Sequence, residues 1–160
     1  VTGRLETGAF GPEGQYPLML NVASAQPIEQ VRYVEHTLPD LPAGEDVVPI
    51  AELQNNPEAY DEEQVTTRGF YFWNKIIWVL SERISTEEGG GSPQPLGEPI
   101  WMEGFPPELS GELNVGPNTS YVWGPIEVTG TFETGGGFGK DAAYESQLTA
   151  ESVTVLEPTD

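Results

Sequence analysis

The strongest constraint on this chain is that one stretch of it is written twice. Residues 128–135 read VTGTFETG and residues 1–8 read VTGRLETG. Phe138-Gly139 is answered by Phe10-Gly11, and from each glycine four residues lead to a tyrosine, Tyr144 and Tyr16. Leu148 and Leu20 lie equally far beyond those tyrosines. The longer region that contains the second copy, residues 121–157, has the pattern of two long antiparallel strands joined by a glycine-rich loop. A pair of spaced copies favours duplication over compositional chance, and it constrains architecture more than activity.

Composition then limits the partners. The 160 residues suffice for one well-buried domain, or for one domain and a fragment of a second. Asp and Glu number 26 against 6 Lys and Arg, a formal net charge of −20. Such a surface repels a phosphate backbone, which disfavours nucleic acid as a partner. It resembles the surfaces of salt-adapted proteins, whose self-repulsion is relieved by salt. Without cysteine there are no disulfides, thiolate metal sites or Cys nucleophile. The longest apolar run, around residues 76–80, is of strand length and far short of a membrane span. The acidic, Gly- and Pro-rich, Cys-free character points towards an exported protein. The chain opens inside a strand pattern, as would a piece of a longer protein or one that has lost a leader.

In order, Val1, Gly3 and Leu5 alternate with Thr2, Arg4 and Glu6 as in a half-buried strand. Residues 8–14 form a loop, and Tyr16, Leu18, Leu20 and Val22 share one face of a second strand. Residues 31–35, VRYVE, fit a short strand before a turn-rich connection with Pro39, Pro42 and Gly44. Residues 50–55 read as a helix started by Pro49, and residues 57–60 as a further turn. Residues 65–72 and 75–82 predict a hairpin tightly joined at Trp73-Asn74, with Ile76, Trp78 and Leu80 on one face. Residues 87–99, with three consecutive glycines and three prolines, suggest a mobile loop or a local insertion. Residues 100–105 predict a third strand, with Ile100 and Met102 on one face and Trp101 and Glu103 on the other. In the loop over residues 106–119, Leu109, Leu113 and Val115 are candidates to plug the end of a barrel. Ile126, Val128, Gly130 and Phe132 form the inner face of a fourth strand. The fifth changes parity between Ala150 and Val153, which predicts a bulge near Glu151-Ser152.

From residue 48 to 157 the chain resembles an OB-fold domain. It is similar to small bacterial and archaeal OB-like modules in which an Asn-Pro-x-x-Tyr turn precedes a strand ending in Arg-Gly. That lead-in here is PIAELQNNPEAYDEEQVTTRGFYF, and the ending is a Val-Thr-Gly strand followed by one closing on Thr-Ala-Glu-Ser-Val. Gly69 and Gly130 stand where a small barrel bends its strands sharply. The resemblance implies an all-β chain: an OB-like five-stranded barrel with a short helix over residues 47–160, and an additional N-terminal β-hairpin within residues 1–46. That hairpin, residues 1–26, would be the closing pair of a preceding OB unit.

No catalytic constellation is present. His36, the single histidine, reads as an ordinary loop residue. There is no nucleophile elbow, Walker sequence or Rossmann fingerprint, and the two Gly-Gly-Gly runs lack the context of phosphate loops. Acidic clusters such as Asp61-Glu62-Glu63, Glu87-Glu88 and Glu103 with Glu108 fit solvated surface. Asp61, Glu62 and Glu63 are weak candidates for opportunistic cation binding, without EF-hand spacing. The aromatics carry more weight, because an OB face can stack bases or sugars. By strand parity Trp78 points inward and Trp101 outward. The expected partner-binding patch is Trp73, Trp101, Tyr121 and Trp123. The leading expectation is a non-enzymatic, cofactor-free binding or assembly module engaging a protein partner or another copy of itself. A carbohydrate or small-ligand binder is the first alternative, recognisable by a concave aromatic cleft. A carboxylate- or metal-dependent hydrolase is the second.

Overall fold

The computed structural model describes residues 1–26, 31–38 and 46–157. Contacts divide the chain into two units, Val1–Val31 and Arg32–Asp160. The first is a hairpin of β1 (Thr2–Phe10) and β2 (Tyr16–Ser24), joined by a 3-10 turn at Pro12–Gly14. The connection containing Pro39, Pro42 and Gly44 lies outside the described residues.

The second unit runs β3 (Tyr33–His36), α1 (Ile50–Asn55), β4 (Gln64–Trp73), β5 (Trp78–Ser81), β6 (Arg83–Glu87), β7 (Gln94–Leu96), β8 (Ile100–Glu103), β9 (Asn114–Val115), β10 (Val122–Phe138) and β11 (Tyr144–Val155). It is all-β apart from short helical turns. A six-stranded sheet has the order β11-β8-β5-β4-β10-β9, with β11 also paired to β10. Pairing therefore passes from β4 to β5, β8, β11 and β10 and returns to β4. Every step is antiparallel except β8 with β11, which aligns Leu148 with Met102. A separate three-stranded sheet has the order β3-β6-β7.

Burial follows strand parity. The inner cluster contains Val65, Tyr71, Leu80, Ile100, Met102, Ile126, Val128, Phe132 and Leu148, with Ile50 and Leu53 of α1. The helix starts where expected: the Pro49 carbonyl accepts from the amides of Glu52 and Leu53 at 2.9 and 3.2 Å. Its Ile50 fills the space over Gly69, where an added Cβ would come within 2.5 Å of the isoleucine Cδ1. A second cluster of Phe70, Phe72, Val79, Ile84, Trp101 and Trp123 occupies the other side of the same strands. Trp101 and Ile100 do face opposite ways, but both faces are covered.

The bulge predicted near Glu151-Ser152 is present. Thr129 pairs with Ser152 and Gly130 with Ala150, leaving Glu151 as the extra residue. At that step β10 and β11 approach so closely that a Cβ on Gly130 would sit 2.2 Å from the Thr149 carbonyl oxygen. The hairpin of the first unit repeats this. Its register shifts between Thr2 and Gly3, and a Cβ on Gly3 would lie 2.4 Å from the Asn21 carbonyl oxygen. Phe10 pairs with Tyr16 as Phe138 pairs with Tyr144. Both connections turn on a left-handed glycine, Gly11 at φ 76° and Gly139 at φ 67°. Two residues later Glu13 and Asp141 share φ 58°. The written repeat is thus a repeat of backbone geometry.

Several local expectations are corrected. The β4–β5 join is a turn over residues 74–77, in which the Asn74 side-chain oxygen accepts from the amides of Ile76 and Ile77. That turn removes Ile76 from the strand and leaves it exposed. The stretch 87–99, read as a loop, contains β7, with Pro95 in an edge strand that needs no amide from it. His36 belongs to β3 rather than to a loop. Among the described residues no helix is long and apolar enough to cross a membrane.

The glycine contact gives a direct test. Gly130→Ala forces the two backbones apart and should destabilise the protein by about 1–3 kcal/mol in urea or thermal denaturation, as overpacking does.

Candidate functional site

A concavity lies at the end of β4, the start of β5 and the end of β8. Trp73 and Trp78 are direct partners across the β4–β5 pair, and both are half-buried. Cross-strand aromatic pairs of this kind make a rigid wall. After β8 the chain turns at Gly104, whose φ is 77°, and this brings Phe105 back over the sheet. The Phe105 ring stacks on Tyr71 with centroids 3.9 Å apart and planes 6° from parallel. Tyr71, Trp73, Trp78, Met102, Glu103 and Phe105 together line a mostly apolar pocket of about 400 Å³. That volume is within the range of small-molecule sites.

Glu103 supplies the carboxylate of the pocket. Its Oε1 accepts a 2.7 Å hydrogen bond from the Trp101 indole N–H, two residues back on the same strand face. Burial, and secondarily the negative charge of Glu103, raise the pKa of the Tyr71 phenol well above its ordinary value of 10.0. Tyr71 is therefore a neutral phenol throughout the physiological range. Burial alone raises Tyr144.

The four residues expected to form an exposed patch are distributed differently. Trp73 lines the pocket. Trp101 is only 2% exposed, wedged between Trp78 at 4.6 Å and Tyr144 at 5.1 Å between ring centroids. Trp123 is 6% exposed, with its ring 6.4 Å from Phe70 and 5.0 Å from His36. Tyr121 is half-buried against the same cluster. Parity correctly sends Trp101 away from Ile100, but that side holds a second hydrophobic cluster, so Trp101 and Trp123 are buried and only Trp73 and Tyr121 of the four are partly open. Trp101 contributes instead by holding Glu103.

The acidic triplet also has a structural role. The Asp61 carboxylate accepts from the Thr134 amide at 2.9 Å, while the Glu62 amide and Glu63 carbonyl bond to the Phe132 backbone at 2.8 and 2.9 Å. Asp61, Glu62 and Glu63 thus clamp the turn before β4 onto β10. Among the described residues no three His, Asp or Glu side chains converge to hold a metal. His36 hydrogen-bonds to the buried Thr86 hydroxyl at 2.8 Å.

Sequence reading did not bring Phe105, Met102, Tyr71 and Glu103 together at one pocket. One signal was available: Trp101-Met102-Glu103 places an indole donor and a carboxylate on one strand face. The return of Phe105 depends on the Gly104 turn and had no such signal. Neither a family model, a curated protein nor a solved structure matches the chain. The site is read from its own geometry.

Tyr71 gives a pH test. Because its folded-state pKa is raised, the associated stability is fully present below about pH 10 and is lost as pH rises further. Alkaline denaturation should be less steep in Tyr71→Phe than in the parent chain, measured by urea unfolding across that range.

Proposed function

We propose that the chain is a non-enzymatic OB-like assembly module that associates with a second copy through its N-terminal hairpin. The barrel reading is supported by the closed cycle of pairings among β4, β5, β8, β11 and β10 with one parallel step. The observation that carries the assembly reading is that one hairpin occurs twice in two environments. In the second unit its inner face is buried: Phe132 and Leu148 are both 0% exposed. At the matching positions of the first unit Leu5 is 62% and Leu20 49% exposed, with Leu18 and Val22 open beside them. A two-stranded hairpin is at best marginally stable alone in water, so a face of this composition calls for a cover. Charge favours a like partner at this place. Residues 1–26 carry one arginine and two glutamates in a chain of net charge −20. Two hairpins can meet there with little of the repulsion that opposes contact elsewhere.

A second reading, binding of a small ligand, is favoured by the concave aromatic pocket at Trp73 and Trp78.

The assembly reading is tested in a chain with no other cysteine. Sedimentation at micromolar concentration and moderate salt should show a dimer, strengthened as salt screens the acidic surfaces. Leu20→Cys should react with maleimide about tenfold more slowly in the dimer than in denaturant, and Leu5→Asp should give a monomer. A monomer at every concentration, with Leu20→Cys labelled at the rate of a free thiol, sinks the proposal.

A further inference from the structure

We infer that the pocket between Trp73, Trp78 and Phe105 takes a small organic cation, an alkylated ammonium head seated against aromatic faces with Glu103 as its counter-charge. The inference rests on the small-ligand reading of that pocket and adds the charge of its occupant.

Three features of the site converge on this chemistry. Its walls are aromatic: Trp73 and Trp78 line it beside the Tyr71–Phe105 pair, whose rings are stacked on each other. The faces of such rings carry negative potential and attract a cation, most strongly when both are withdrawn from water. Its one carboxylate, Glu103, is half-buried and held on one oxygen by the Trp101 N–H. A carboxylate among apolar groups is costly without a compensating charge. Glu103 also lines a neighbouring pocket with Lys75 and Lys140, yet neither ammonium group comes within 4.0 Å of it; the described ion pairs are Arg4–Glu6, Arg68–Glu127 and Arg83–Glu35. The third feature is the net charge of −20, whose field concentrates cations and depletes anions at the surface.

The size and shape of the site set the kind of cation. A bare metal ion would need several strong oxygen ligands, and the pocket offers one carboxylate, its other side-chain oxygens being the neutral hydroxyls of Tyr71, Ser110 and Thr119. A flat apolar ligand would leave Glu103 unanswered. An ammonium centre wrapped in methyl groups matches both the ring faces and the single charge. The neutral Tyr71 phenol adds a polar group without competing for that charge.

The test uses choline as probe, and as control its uncharged carbon isostere, in which a tert-butyl group replaces the trimethylammonium head. Binding is read by calorimetry and by the indole N–H resonances of Trp73 and Trp78, against potassium chloride at matched ionic strength. Choline should shift both resonances and bind about tenfold more tightly than the isostere. Glu103→Gln keeps an acceptor for the Trp101 N–H and should weaken choline by about tenfold while leaving the isostere unchanged. Equal binding of the two probes overturns the cation inference and leaves the small-ligand reading standing. Binding of neither overturns both. Unchanged choline affinity in Glu103→Gln, with its fold verified by circular dichroism, also overturns the inference.

Discussion

The architecture depends on one long strand that must serve partners on both edges. β10 pairs with β4 over Val122–Thr131 and with β11 over Ile126–Phe138, and at its start also with β9. A flat strand cannot turn its two neighbours towards a common interior. The bulge at Glu151 supplies the curvature on the β11 side, and opposite it Gly130 lets the β10 backbone meet β11 without a side chain between them. β11 also pairs with β8, and Ile126, Val128 and Phe132 share the inner cluster with Leu148 and Met102.

The two covered faces divide the work. The inner cluster supplies most of the packing, with α1 as a plug over Gly69. The other cluster is richer in large aromatics and holds Trp101 in place. Through the indole N–H this fixes Glu103 at the border between the two. The pocket is therefore built by strand ends, where both clusters run out and Gly104 returns the chain. Its charge comes from a single carboxylate whose position is decided by a buried neighbour.

Much of this was legible in the sequence where the information is local. Alternation gave the inner face of β10, the parity change gave the bulge at Glu151, and Pro49 marked the start of α1. The repeated words at residues 1–22 and 128–150 proved to be one hairpin geometry drawn twice. What was hidden depends on residues distant in the chain. β7 was masked by its glycines and by Pro95, because Pro is tolerated on an edge strand but reads as loop. The burial of Trp101 could not be foreseen from β8, since Phe72, Ile84 and Trp123 are remote in sequence. Strand parity says which way a side chain points; it does not say what lies there.

The repeated hairpin has a consequence for the order in which the chain folds. Pairing of β10 with β11 joins neighbours through a short connection, whereas β4 with β10 brings Gln64 to Thr131, and β8 with β11 brings Trp101 to Gln147. Distant contacts of the second kind cost more chain entropy and form more slowly. The copy at the N-terminus adopts the same turn, the same bulge and the same aromatic pair with neither β4 nor β8 counterparts in its unit. The turn, the bulge and the aromatic pair thus go with the local sequence, while the hairpin that carries them is marginal until its apolar face is covered.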